Sequence, residues 1–169
     1  MPTHSRKLGV SLTAIIRAIM KHASLATAVP APPVRSFAAL MELYELNFML
    51  MRRLIPGMSR HSGVLVSAAG EGLPLHVEIV EQDRFTTMLR LYYRLPREDG
   101  GHDEAPDLQV RVYHDARVAE AVAGRLRGRD CVAQGRSGER CLDVRWRLNR
   151  FLYKWLRYLL HKRHRIDTV

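Results

Sequence analysis

The fold is decided by residues 108–126, which read LQVRVYHDARVAEAVAGRL and change their hydrophobic repeat near the middle. Leu108, Val110, Val112 and His114 would share one face of a β-strand, because side chains alternate along a strand. Asp115 then occupies a position typical of a helix N-cap, ahead of apolar residues at helical spacing: Ala119, Val122, Ala123 and Leu126. The stretch therefore predicts a strand that runs into a helix, with a histidine and a carboxylate at the junction.

Helices are predicted on both sides of this stretch. The first spans residues 36–55, with Ser36 as its N-cap and Pro56-Gly57 as its stop. It is apolar almost all round, so either a sheet or a second copy of the chain should cover it. The last spans residues 145–162 and gathers its large apolar residues on one side: Leu148, Phe151, Leu152, Trp155, Leu156 and Leu159.

Between the helices, alternating apolar and polar residues predict strands at 64–68, 75–81, 84–95 and 108–114. Residues 96–106 are interpreted as a polar loop and residues 127–143, which have no repeat, as an exposed loop. The pattern indicates an α+β fold, with an antiparallel sheet of about four strands. N- and C-terminal helices would cover one face of this sheet.

Charge is concentrated at the two ends of the 169-residue chain, whose net charge is +10. Residues 1–35 are basic and proline-rich, and we expect a flexible extension before one domain at 36–165. The extension is either a tail or the product of a translation start upstream of the native one, with Met41 as an internal alternative. The two cysteines and the lack of a 20-residue apolar run favour a cytoplasmic protein without a membrane span.

A polar cluster is predicted at one end of the sheet. By strand parity, Glu81 and His114 continue apolar strand faces, so each needs a polar partner. One interpretation is a pocket in which His114 transfers a proton, with Asp115 and Glu81 as further catalytic candidates. The ligand would then contact Arg84, Thr86, Thr87 and Tyr113. The alternative is a structural network, in which Asp115 caps a helix, His114 hydrogen-bonds a backbone carbonyl and Glu81 pairs with Arg84.

The last helix also carries a basic stripe, formed by Arg147, Arg150, Lys154 and Arg157. This stripe either contacts phosphates, giving unspecific electrostatic nucleic-acid binding, or is a solvated helix face. We expect no metal site, because Cys131 and Cys141 lie ten residues apart without a metal-binding spacing. No cofactor is expected either, since the sequence has no GxGxxG or phosphate-loop motif.

Four segments of the chain resemble the YqiB-like family, a group of small proteobacterial proteins classed as a domain of unknown function. They are LMELYELNFMLMRRLIP (40–56), IVEQDRFTTML (79–89), VRVYHDARVAEAV (110–122) and LNRFLYKWLRYLL (148–160). The resemblance covers roughly residues 36–162 and implies a cytoplasmic bacterial protein. It implies no activity and no site residue, although the third segment adds Glu120 to the polar groups near His114.

Our leading hypothesis is a non-enzymatic binding or regulatory protein, with a protein partner or a small anionic ligand. The protein partner could be a second copy of the chain, which would give a homodimer. An enzyme acting on a small anionic substrate, with His114 as acid or base, is the first alternative. Electrostatic nucleic-acid binding through the last helix is the second.

Overall fold

The helices form where apolar residues recur at helical spacing. A computed structural model of the chain describes residues 11–25, 36–69, 72–126, 129–133 and 139–167. Among these described residues, the α-helices are α1 (Leu12–Leu25), α2 (Phe37–Leu54) and α3 (Glu139–His161), with a short 3-10 helix at Met58–Arg60. The predicted start of α2 is confirmed, because the Ser36 hydroxyl accepts a hydrogen bond from Ala39 N at 3.2 Å. None of these described helices is long and apolar enough to cross a membrane.

The strands of the described residues pair with their sequence neighbours in one antiparallel sheet. They are β1 (Gly63–Ser67), β2 (Leu75–Gln82), β3 (Thr86–Pro96), β4 (His102–Tyr113), β5 (Val118–Leu126) and β6 (Arg129–Val132). Their spatial order is the same as their order along the chain. The α+β prediction is confirmed, although this sheet has six strands rather than about four.

The core lies between one face of the sheet and the helices. Leu75, Leu91 and Leu108 are fully buried on that face, and Trp155 of α3 packs on it with its ring 5.4 Å from the Tyr93 ring. Every apolar residue predicted for the inner side of the last helix is buried: Leu148, Phe151, Leu152, Trp155, Leu156 and Leu159. Burial of this apolar stripe accounts for the position of α3 on the sheet.

The predicted helix after Asp115 is wrong, because residues 118–126 form strand β5. A turn at residues 114–117 reverses the chain, and Arg117 adopts a left-handed conformation with φ of 58°. Glycine or asparagine is the usual residue in that conformation, so the sequence HDAR conceals the turn. The apolar residues that fit a helix also fit a strand, in which Ala119 and Ala121 are buried beneath the helices.

Gly124 shows why this segment pairs closely with β4. It lies opposite Leu108, and a Cβ atom at position 124 would stand only 2.8 Å from the Asp107 carbonyl oxygen. Any larger residue would force the two strands apart, so glycine is required here by a close approach of backbones.

Asn149 of α3 joins the helix to the open edge of β5. Its Oδ1 accepts a hydrogen bond from Ala121 N at 2.8 Å, and its Nδ2 donates to Ala121 O at 3.2 Å. Strand β6 pairs only with residues 123–126 of β5, so the asparagine amide replaces a neighbouring strand at Ala121. Asn47 of α2, also fully buried, donates to Asn149 Oδ1 and to the Asn149 carbonyl at 3.4 Å.

Three other predicted boundaries also differ from the structure. Strand β4 begins at His102, inside the segment interpreted as a polar loop. The predicted exposed loop at 127–143 contains β6 and the first turn of α3; residues 127–128 and 134–138 lie outside the described part. Within the predicted extension, α1 buries Ile15, Ile16 and Ile19 in the core. The expected start of the domain at residue 36 stays a prediction.

The chain after α3 is attached to the beginning of the sheet. Ser67 Oγ donates to Arg165 O at 3.1 Å and accepts from Arg165 N at 3.2 Å, while Ile166 N donates to Leu54 O at 2.8 Å. His164 is buried beside Ser67, with Nδ1 3.3 Å from its hydroxyl oxygen, and burial lowers the pKa of this imidazole. These contacts hold the end of α3 against β1 and α2.

Replacing Asn149 by alanine is expected to lower the free energy of unfolding by about 3 kcal/mol, because Ala121 N–H and C=O would both lose their buried partner. Urea unfolding followed by circular dichroism measures this change. The control is Arg150→Ala at the next, exposed position of α3, which should change stability by less than about 0.5 kcal/mol. Equal stability of the two variants would contradict a structural role for the Asn149 amide.

Candidate functional site

His114 lies in the turn after β4, where it contacts a residue of the predicted cluster. Its Nε2 is 2.8 Å from the hydroxyl oxygen of Thr87, which is fully buried on the core face of β3. The His114 backbone N–H donates to Phe85 O at 2.8 Å. The structure thus brings His114 and Thr87 together, and two hydrogen bonds hold the histidine in place.

The charged members of the predicted cluster make other contacts. Asp115 is exposed and accepts a hydrogen bond from Ala116 N at 2.8 Å, within the turn rather than at a helix start. The Arg84 guanidinium lies over the Phe85 ring at 4.9 Å. Glu81 is exposed on the outer face of the sheet, because a bulge after Ile79 pairs it with Met88. Its predicted place on the apolar face is therefore wrong, and the site role of these residues stays a prediction.

Thr86 and Tyr113 lie opposite each other on the outer face of β3 and β4. The Tyr113 hydroxyl donates to Glu120 Oε1 at 3.2 Å, and Arg145 Nη1 donates to Glu120 Oε2 at 3.0 Å. Tyr44 of α2 is buried nearby, and burial raises its pKa to about 12. Tyr113, Glu120 and Arg145 thus form a polar network that joins α3 to β4 and β5.

Three residues of the basic stripe lie in a cleft rather than on an open helix face. Arg147, Arg150 and Lys154 line a cleft of about 750 Å³ between α1, α3 and the β5–β6 hairpin, and Arg129 of β6 lines it as well. The fourth predicted residue of the stripe, Arg157, lies over the Tyr153 ring at 5.5 Å instead. We refer to this space as the basic cleft. It combines four cationic side chains from two separate elements.

The remaining walls of the basic cleft are mostly apolar. They comprise Ile16 and Met20 of α1, Leu126 of β5, Cys131 of β6, and Trp146 and Phe151 of α3, together with the carboxylate of Asp143. Ile16, Trp146 and Phe151 are buried, whereas Met20 is 37% exposed at the rim. Clefts of this size with a few polar groups on an apolar lining are typical of small-molecule sites.

Electrostatic repulsion acts inside the basic cleft. Burial lowers the pKa of Lys154, and the positive charge of Arg150 lowers it further. The carboxylate of Asp143 lines the same cleft and places one negative charge beside these cations. The Lys154 ammonium contacts the Met20 sulfur at 3.8 Å. A bound anion would offset this repulsion, because it places opposite charge between the cations.

A metal would need a different set of side chains. Within residues 11–25, 36–69, 72–126, 129–133 and 139–167, no group of three or more His, Cys, Asp or Glu side chains could hold an ion. Arginine and lysine donate hydrogen bonds and bind carboxylate or phosphate oxygens. The arginine and lysine side chains of the basic cleft could donate such hydrogen bonds to an anion.

Sequence reasoning identified three of the four cations in the basic cleft but not the cleft itself. Arg129 escapes sequence reasoning because it lies in a segment without a hydrophobic repeat. The apolar wall of α1 escapes it because residues 1–35 have the composition of an extension. The amphipathic pattern of residues 12–25, with isoleucines at positions 15, 16 and 19, was the available signal.

Comparisons with known proteins place the chain in a family. A family model described as "Protein of unknown function (DUF1249)" matches residues 50–165. The uncharacterized protein YqiB of Escherichia coli K12 is 33% identical over 128 residues, which cover 73% of this chain and 88% of that protein. YqiB of the O157:H7 strain matches to the same extent, and no solved structure matches significantly. The resemblance inferred from four segments is thus confirmed, and the chain belongs to the YqiB-like DUF1249 family.

Proposed function

We propose that this chain is a non-enzymatic binding protein, and that its ligand is a small anion held in the basic cleft. The observation that carries the proposal is that Arg129, Arg147, Arg150 and Lys154 all line one cleft. Like charges are normally dispersed over a surface, because bringing them together costs free energy. An anionic ligand removes that cost, so the arrangement is suited to a bound state.

The apolar lining strengthens the interaction of these cations with an anion. Trp146 and Phe151 are both buried next to the charged residues of α3 and give the cleft apolar surface beside its cations. Charge–charge attraction increases as the surrounding medium becomes less polar. Arg147 and Arg150 are exposed at the same time, so a ligand can reach them from solvent.

A small ligand fits these charges better than a nucleic acid does. A duplex is bound by cations that spread along an exposed surface at the spacing of successive phosphates. Here three of the four stripe residues converge on a concave site, and Arg157 donates to the Tyr153 hydroxyl at 3.5 Å. The experiment described below therefore includes nucleic-acid binding as a result that would contradict the proposal. The enzymatic alternative requires His114, which lies in the β4–β5 turn and does not line the basic cleft.

Arg150→Gln is expected to weaken the binding of inorganic phosphate about tenfold, since it removes one charge-assisted contact. Arg157→Gln is the matched control, because it removes the same charge from the same helix outside the basic cleft, and it should change affinity less than about twofold. The phosphate affinity of each variant is measured by NMR titration of the backbone amides with phosphate, at low and at high salt.

Two results would contradict the proposal. One is equal weakening by Arg150→Gln and Arg157→Gln, which would indicate a diffuse effect of net charge. The other is the absence of saturable phosphate binding together with salt-sensitive binding of duplex DNA. His114→Ala should leave phosphate affinity unchanged; a loss there would favour the site at the end of the sheet.

The titration of Lys154 gives an independent check. Its pKa lies below the ordinary 10.5, so its positive charge is lost at a lower pH than in an exposed lysine. Phosphate affinity should therefore fall as the pH rises through this lowered pKa. Bound phosphate should raise the pKa of Lys154, and so should Arg150→Gln, which removes a neighbouring charge. NMR of the lysine side chain measures these shifts, and an unchanged pKa in both cases would contradict the proposed site.

A further inference from the structure

We infer that the ligand of the basic cleft is an amphiphilic anion, in which a phosphate or carboxylate group carries an alkyl or aromatic body. This inference rests on the proposed function and concerns the apolar part of the cleft, which an anionic group bound to the cations would not contact. The body of the ligand would lie between α1 and α3, against Ile16, Met20 and Phe151. The anionic group would lie at Arg150 and Lys154.

The volume of the cleft is the first argument. One water molecule takes about 30 Å³ in the liquid, and an inorganic anion is only a few times larger. Such an anion would leave most of the roughly 750 Å³ filled with water against apolar side chains. Water displaced from apolar surface by an apolar ligand group yields favourable free energy. A ligand that uses the whole cleft therefore needs an apolar body.

The arrangement of the two kinds of side chain is the second argument. Lys154 Nζ contacts the Met20 sulfur at 3.8 Å, so the charged wall of α3 and the apolar wall of α1 meet at this pair. Ile16 continues the apolar wall one turn before Met20, since residues four apart lie on the same side of a helix. An anionic group at Lys154 thus has apolar surface directly beside it.

The two walls also differ in their relation to the family. All four cations lie within residues 50–165, which the family model matches, whereas α1 lies outside that range. Ile16 and Met20 therefore supply apolar surface from an element that carries none of the four cations, whereas Phe151 lies on α3 with three of them. A substitution on α1 should consequently change binding of the apolar body without changing binding of the anionic group. The inference can therefore be tested separately from the proposed function.

The experiment measures the affinity of a series of alkyl phosphates, from methyl to hexyl phosphate, below their micelle concentrations. Trp146 fluorescence reports binding, since Trp146 lines the cleft. Affinity should rise roughly threefold for each added methylene that becomes buried. In Met20→Gln this gain should be markedly reduced, while affinity for inorganic phosphate should stay within about twofold. Glutamine forms helices about as well as methionine, so α1 should persist, and circular dichroism verifies this.

Met49→Gln is the matched control, because Met49 is 61% exposed on α2 and does not line the basic cleft. It should retain the full gain with chain length. A wild-type affinity that is independent of chain length, with phosphate still bound, would overturn this inference and leave the proposed function standing. Failure of every phosphate, including the hexyl ester, to bind would overturn both. Binding to anionic phospholipid vesicles without affinity for monomeric hexyl phosphate would indicate a membrane surface and would also overturn the inference.

Discussion

The contact on which the rest of the structure depends is the pair of hydrogen bonds between the Asn149 side chain and the backbone of Ala121. Strand β5 is unpaired at this point on the side away from β4, because β6 reaches only residues 123–126. A buried backbone N–H and C=O without partners would destabilise the fold strongly, and one asparagine amide satisfies both. Burial of the apolar side of α3 holds the helix on the sheet, and these directional hydrogen bonds fix its register along β5.

The position of α3 determines where its apolar residues meet the sheet and where its cations lie on the opposite side. Trp155 and Leu152 face the sheet and are fully buried, while Arg147, Arg150 and Lys154 face the space beside β6 and α1. Because the same helix carries both sets at fixed angular spacing, the depth at which α3 packs also sets where the cations converge. The buried asparagine thus links a requirement of the fold to the shape of the candidate site.

The sequence predicted the elements whose pattern is local and unambiguous. The end of α2 at Pro56-Gly57, the strands around Leu75 and Leu89, and the apolar side of α3 all follow from periodicity and helix caps. Strand β5 could not be predicted in this way, because its alanines suit a helix and its turn has Arg117 where glycine is usual. The bulge after Ile79, which moves Glu81 to the outer face, leaves no local signal either. The basic stripe was visible in the sequence, but its enclosure depends on Arg129 and Met20, which only tertiary packing brings near it.

The difference between the sheet-end residues and the basic cleft lies in how fully each is satisfied within the chain. His114 has Thr87 as a partner, Asp115 bonds its own turn, and Arg84 lies on Phe85. Such groups have little to gain from a ligand, because binding would first have to break these contacts. Burial lowers the pKa of Lys154, and the positive charge of Arg150 lowers it further. An occupant of opposite charge would offset this unfavourable interaction between cations, and for this reason we propose ligand binding in the basic cleft rather than at the end of the sheet.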